Sequence, residues 1–114
     1  MHRPERIAEA LREEITEIVS YELDDPRIQS VSVTKVIVSE NLRDASVYVL
    51  VEGTEQEILQ TMQALKGAEK FVRRQVAFNM DMRFVPHIHF IRDTVEERAM
   101  RVEKLIDQIK SKES

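Results

Sequence analysis

With 114 residues and a formal net charge of −4, the chain has room for one hydrophobic core and little more. Its apolar fraction of 42% and charged fraction of 33% describe a soluble globular domain. The absence of cysteine excludes disulfides, thiolate catalysis and cysteine-ligated zinc or iron–sulfur centres. No apolar run is long enough to cross a bilayer, and the N-terminus lacks a signal-peptide core, so the cytoplasm is the expected compartment.

The first element is a helix over residues 4–23. Ile7, Ala8, Leu11, Ile15, Ile18 and Val19 recur at helical spacing and form one apolar stripe. Pro4 suits the first turn, where its missing N–H costs nothing. The opposite face is rich in glutamate. Pro26 disfavours helical geometry at Asp25 and ends the segment, with Asp24 or Asp25 placed to accept backbone hydrogen bonds in the turn.

Residues 30–38 are rich in valine and isoleucine and read as a strand. Val31 and Val33 share one parity, Val36 and Val38 the other. A bulge, or burial on both faces near that point, accounts for the break. Over 45–51 the alternation is clean, with Ala45, Val47, Val49 and Val51 on one side. The short Glu-Asn-Leu-Arg-Asp link predicts an antiparallel hairpin.

Thr54 to Glu57 matches a helix capping box, and Ile58, Leu59, Met62 and Leu65 supply the stripe behind it. Gly67 breaks or bends the helix, and a second helix resumes at Ala68. Its apolar arc holds Ala68, Phe71, Val72, Val76 and Phe78, with Lys70, Arg73 and Arg74 on the other side. A strand over His87–Ile91 follows Pro86, with Ile88 and Phe90 inward. A second capping box, Thr94 to Glu97, opens a last helix with the stripe Val95, Ala99, Val102, Leu105, Ile106 and Ile109. The domain is expected over 1–109, with a polar tail at 110–114. The order is α-β-β-α-α-β-α, an α+β fold whose three-stranded sheet carries helices mainly on one face.

Several chemistries find little support. His87 and His89 share one strand face, but two histidines fall short of a zinc site, and solvent-facing histidines are the better reading. The acid pairs Asp24/Asp25 and Glu96/Glu97 sit at a helix stop and a helix first turn, where acids serve local needs. Ser39, Ser46 and Thr34 lack a recognisable base partner. Two glycines cannot build a phosphate-cradling loop. The expectation is a non-enzyme with no metal or cofactor.

Charge is unevenly spread. Residues 13–30 carry Glu13, Glu14, Glu17, Glu22, Asp24 and Asp25 against Arg27 alone. Residues 65–92 carry Lys66, Lys70, Arg73, Arg74, Arg83 and Arg92 against Glu69 and Asp81. The arginines, whose planar fork matches phosphate oxygens, make this a candidate RNA-contacting surface. Arg3 and Arg6 in the first turn would extend it.

Read together, RPERIAEALREEITEIVSYEL, DDPRIQSVSVTKVIVSENLRDASVYV, ALKGAEKFVRRQV and MRFVPHIHFIRD resemble bacterial ribosome-binding factor A over essentially the whole chain. Phe71-Val72-Arg73 is similar to that family's Phe-Ile-Arg segment. Met82 to Asp93 is similar to its Leu-Arg-x-x-Pro-x-Leu-x-Phe-x-x-Asp segment. The resemblance implies a type II KH-like fold without the Gly-x-x-Gly loop of ordinary KH domains. It implies binding to the small ribosomal subunit late in assembly, contact with 16S rRNA near the decoding region and 3′ end, and help in processing the precursor 5′ end. It also implies support of growth in the cold and release linked to an assembly GTPase. Beside the resemblance, the acidic face of the first helix is expected either to meet ribosomal protein or to repel misplaced RNA, and the free protein is expected to be a monomer. The family's basic positions carry over to Arg73, Arg83, Arg3 and Arg6, whereas Lys66, Lys70, Arg74 and Arg92 come from the charge map alone. Where the family commonly has Ala-x-Gly between the central helices, this chain has Ala68-Glu69-Lys70. That departure predicts a shifted or shallower bend, with a charge at Lys70. Two other readings stay open: a KH-like binder of mature subunits, and a protein–protein adaptor that uses the acidic helix face without touching RNA.

Overall fold

The computed structural model describes residues 3–94. The elements are α1 (Arg3–Tyr21), β1 (Val31–Val38), β2 (Asp44–Val51), α2 (Glu55–Gly67), α3 (Glu69–Met80) and β3 (His87–Arg92). This is the α-β-β-α-α-β order expected of the KH-like core. The last helix, with its stripe from Val95 to Ile109, and the tail from Lys110 to Ser114 lie outside the described residues.

The α1 stripe is buried as its spacing requires. Leu11, Ile15 and Ile18 are fully enclosed, flanked by Pro4, Ala8 and Val19. Each of the three large side chains contributes about 1.5–3 kcal/mol relative to exposure. The helix ends where Glu22 and Leu23 both donate their N–H groups to the Ile18 carbonyl. The chain then turns through Asp25-Pro26-Arg27. Asp25 Oδ1 accepts from the Arg27 N–H at 2.9 Å and from Arg27 Nε at 3.0 Å, and Oδ2 accepts from Nη2 at 2.7 Å. These bonds hold the Asp25 carboxyl down at about pKa 2. The turn is fastened to the body by Thr61, buried on α2. Its hydroxyl proton is shared between the carbonyl oxygens of Arg27 (2.7 Å) and Glu57 (2.9 Å).

β1 pairs antiparallel with β2, and β2 pairs parallel with β3, giving the order β1-β2-β3. The parity break in β1 is a bulge. Val33 lies opposite Val49 and Lys35 opposite Tyr48, so Thr34 is the extra residue. Its effect is to turn Val36 and Val38 to the face that Val31 and Val33 already occupy. The Thr34 hydroxyl donates to buried Asp93 Oδ2 at 2.6 Å, tying the bulge to the end of β3. The inward row is completed by Ala45, Val47, Val49 and Val51 of β2 and by Ile88 and Phe90 of β3. It meets α1 over β1 and the α2–α3 pair over β3.

Two expected core residues are largely exposed. Leu59 is 57% exposed and Phe78 83% exposed. Leu59 lies roughly 100° round α2 from Ile58, outside the arc that Ile58, Thr61, Met62, Ala64 and Leu65 bury. In α3 the buried direction is set by Val72 and Val76. Phe78 lies roughly 140° from their midline, so the arc drawn from sequence was too wide.

Two outcomes follow from the Asp25 turn. The folded carboxyl stays ionised to lower pH than the unfolded one, so its contribution to stability is present above the ordinary value of 3.8. That contribution fades as pH falls towards 2. Asp25→Asn is therefore expected to flatten the drop in melting temperature between pH 4 and pH 2, read by circular dichroism. Thr61→Val keeps the shape and removes the hydroxyl, and is expected to cost about 1 kcal/mol in urea denaturation.

Candidate nucleic-acid interface

The basic residues are carried by the α2–α3 pair and the entry to β3. α2 starts at a complete capping box. The Glu57 N–H donates to Thr54 Oγ1 and the Thr54 N–H to Glu57 Oε1, both at 3.2 Å. The bonds to Thr54 lower the Glu57 pKa. Gly53 makes the box possible, since its φ is +139° and a Cβ there would stand 3.2 Å from Glu57 Cβ.

The break between α2 and α3 is one residue wide. Ala68 keeps right-handed dihedrals (φ −93°, ψ −2°). Its N–H reaches the Ala64 and Leu65 carbonyls, and its own carbonyl accepts from the Val72 N–H at 2.9 Å. Helical bonding thus passes through the break, and α3 resumes at Glu69, one residue later than expected. Gly67 has open space around its Cα, so no close contact demands a glycine there.

Neighbouring cations on α3 meet different surroundings. Arg73 is half-buried and turned towards β3. Its Nε and Nη2 donate to the Val85 carbonyl at 3.1 and 2.9 Å, and Nη1 lies 3.3 Å from His87 Nδ1. Its guanidinium therefore clamps the helix to the start of the strand. Arg74 is exposed, in line with Lys70 and Phe78 at four-residue spacing on the solvent side. Lys66, Lys70, Arg74 and Arg83 are all exposed, and none bonds through its side chain to another described residue.

Arg92 is not a free cation. Its Nη1 and Nη2 donate to Glu55 Oε2 and Oε1 at 3.2 and 3.1 Å, joining the end of β3 to the first turn of α2. With Glu55 82% exposed, the pair adds little stability, but it offsets the charge of Arg92. Arg3 and Arg6 lie elsewhere, exposed in the first turn of α1, which packs over β1 at the opposite edge of the sheet from β3. The fold thus divides the sequence-derived set. Lys70, Arg73 and Arg74 share a groove with Glu69, His87, Ile88 and His89. Lys66 precedes it and Arg83 follows α3.

Sequence reasoning did not foresee that the two strand histidines line this groove. His89 Nε2 is 2.9 Å from Asp44 Oδ1, and alternation along β3 was the signal that placed both outside. Nor did it foresee Glu69, whose Oε2 accepts the Phe90 N–H at 2.8 Å and so occupies the outer edge of β3. Among the described residues, no group of three or more potential metal ligands is present, and no helix is long and apolar enough to cross a membrane.

Arg73 and Arg74 should separate cleanly in a stability assay. Arg73→Ala is expected to cost about 1.5–3 kcal/mol through loss of its charged hydrogen bonds. Arg74→Ala is expected to stay within about 0.5 kcal/mol of the parent, both read from urea midpoints.

Comparison with known proteins agrees with this architecture. The family model for "Ribosome-binding factor A" matches residues 3–106. The chain is 41% identical over 109 residues to ribosome-binding factor A of Acetivibrio thermocellus, covering 95% of this chain and 89% of the relative. It is 43% identical over 108 residues to that of Thermomicrobium roseum, covering 95% and 84%. The crystal structure of ribosome-binding factor A from Thermus thermophilus superposes with a TM-score of 0.69 at 25% identity, covering 80% of this chain and 97% of that one. A homology model of the Thermus protein, fitted into a cryo-electron microscopy map of its complex with the 30S subunit, gives 0.62 at 27% identity, covering 74% and 88%. Matched in sequence nearly end to end, and in fold over its described core, the chain belongs to the ribosome-binding factor A family.

Proposed function

We propose that this chain binds the immature small ribosomal subunit, contacts 16S rRNA and assists late maturation, including processing of the precursor 5′ end. Family membership supports the reading, as does the description of the Thermus relative in a complex with the 30S subunit. The observation that carries it on this molecule is the set of exposed cations without described side-chain partners, Lys66, Lys70, Arg74 and Arg83, in a chain of net charge −4. A protein with an acidic total that keeps such a set exposed on the α2–α3 side is arranged to meet a polyanion there.

In this reading the exposed cations contact phosphates and set orientation, while the shape of the folded RNA selects the site. Arg73 and Arg92 act mainly by holding β3 against α3 and α2. Arg3 and Arg6 make a separate contact at the other edge of the sheet. The action is binding energy that favours one rRNA arrangement, with no bond chemistry by the protein. It takes place in the cytoplasm, by a monomer, and ends in release linked to an assembly GTPase.

The test is twofold. The triple variant Lys70→Gln, Arg74→Gln, Arg83→Gln is expected to bind purified 30S subunits about 10- to 100-fold more weakly near physiological salt. The slope of log K against log salt should become shallower by about 0.9 for each phosphate that the variant no longer neutralises. Tagged protein sedimented from cells is expected to carry subunits enriched in precursor 16S rRNA. An unchanged salt slope would remove the RNA surface, and association with mature subunits alone would favour a role in translation instead.

A further inference from the structure

Two of the four phenylalanines are largely exposed. Phe90 is buried and Phe71 half-buried, but Phe78 and Phe84 are each 83% exposed. Both stand at the C-terminal end of α3, one in its last turn and one in the loop that follows. Phe78 continues the exposed line of Lys70 and Arg74, and Phe84 adjoins exposed Arg83.

The loop is held so that Arg83 and Phe84 project. Asp81 takes a left-handed conformation (φ 51°) as the helix cap. The next N–H, that of Met82, returns to the Ala77 carbonyl at 3.2 Å, and the Met82 side chain packs on the core. On the other side Val85 is buried, and its carbonyl is gripped by Arg73. Only two residues lie between these anchors, so Phe84 has little freedom to fold back. Acids are near as well: Asp81 caps the helix, and Glu14 and Glu22 of α1 accept from Asn79 and Gln75 on the α1-facing side of α3. Two exposed rings beside the exposed cations Lys70, Arg74 and Arg83 fit the faces of unpaired bases, because aromatic rings stack on bases while adjacent cations hold the phosphates.

We propose that Phe78 and Phe84 form a base-stacking platform, each ring taking the face of an unpaired base of small-subunit rRNA, with Lys70, Arg74 and Arg83 holding the flanking phosphates. The inference rests on the RNA-binding reading above and adds a subsite to it. Stacking of this kind tolerates any base, so the platform would contribute affinity and position more than sequence choice.

The experiment measures binding of the full chain to purified 30S subunits across a range of potassium chloride. Phe78→Ala and Phe84→Ala are each expected to weaken binding roughly tenfold, with an unchanged salt slope and an unchanged melting temperature. Phe78→Trp and Phe84→Trp are expected to keep wild-type affinity, and the leucine variants to bind as weakly as the alanine ones. Alanine variants that bind like the parent, while the Lys70, Arg74 and Arg83 variants still lower affinity and slope, would overturn the platform and leave the RNA reading standing. Leucine variants with full affinity would overturn it in favour of an apolar contact with a protein. A dimer of the free wild-type chain that Phe78→Ala or Phe84→Ala abolishes would show that a second copy covers the rings, and would overturn it too. A salt slope indifferent to the three cations would instead strike the RNA reading itself.

Discussion

The fold depends on bringing every inward side chain of a three-stranded sheet to the same layer of helices. For β2 and β3 simple alternation does this. For β1 it does not, because its valines change parity midway. The bulge at Thr34 resolves the conflict by adding one residue opposite the Val49–Tyr48 step, so that Val36 and Val38 join Val31 and Val33 in facing α1. Without it, half of the strand would present its apolar side chains to solvent. The bond from the Thr34 hydroxyl to buried Asp93 secures the irregularity from β3, across the width of the sheet.

With that layer in place, α3 becomes a divider of chemistry. Its inner side is fixed by Val72 and Val76, both fully buried. Arg73, beside that line, is near enough to β3 to reach a backbone carbonyl, and so its charge is used within the molecule. Arg74, one position on, is turned away and keeps its charge for a partner. Similar side chains on consecutive residues thus do different work because one helical step turns each by roughly 100°. The same geometry places Phe78 with Lys70 and Arg74, so an aromatic ring stands in a row of cations.

The β3 strand shows how a small sheet handles its edges. Its Phe90 N–H faces outward and is taken by Glu69. Its last residue, Arg92, is held by Glu55. An outer strand with unsatisfied backbone groups invites pairing with other chains, and here Glu69 of α3 takes one such outward N–H, while Glu55 of α2 holds the Arg92 side chain at the strand's end. Acids that look like mere offsets in a charge map therefore have specific places, while on the α2–α3 side Lys66, Lys70, Arg74 and Arg83 stay exposed without described side-chain partners.

Much of this was legible in the chain. The helical stripe of α1, the Asp-Pro-Arg stop, the capping box at Thr54, the parity break in β1 and the alternation of β3 are local signals, and local physics alone accounts for them. Periodicity also reveals which residues share a helix face. It does not reveal how wide the buried part of that face is, because that depends on what packs against it. Leu59 and Phe78 lie just beyond the arcs that the sheet covers, and no neighbouring residue in sequence announces the limit. The partners of Arg73, Arg92 and Glu69 lie 12, 37 and 21 positions away along the chain. Only the folded chain brings them within hydrogen-bond reach, and that approach decides which of the basic residues remain free to act.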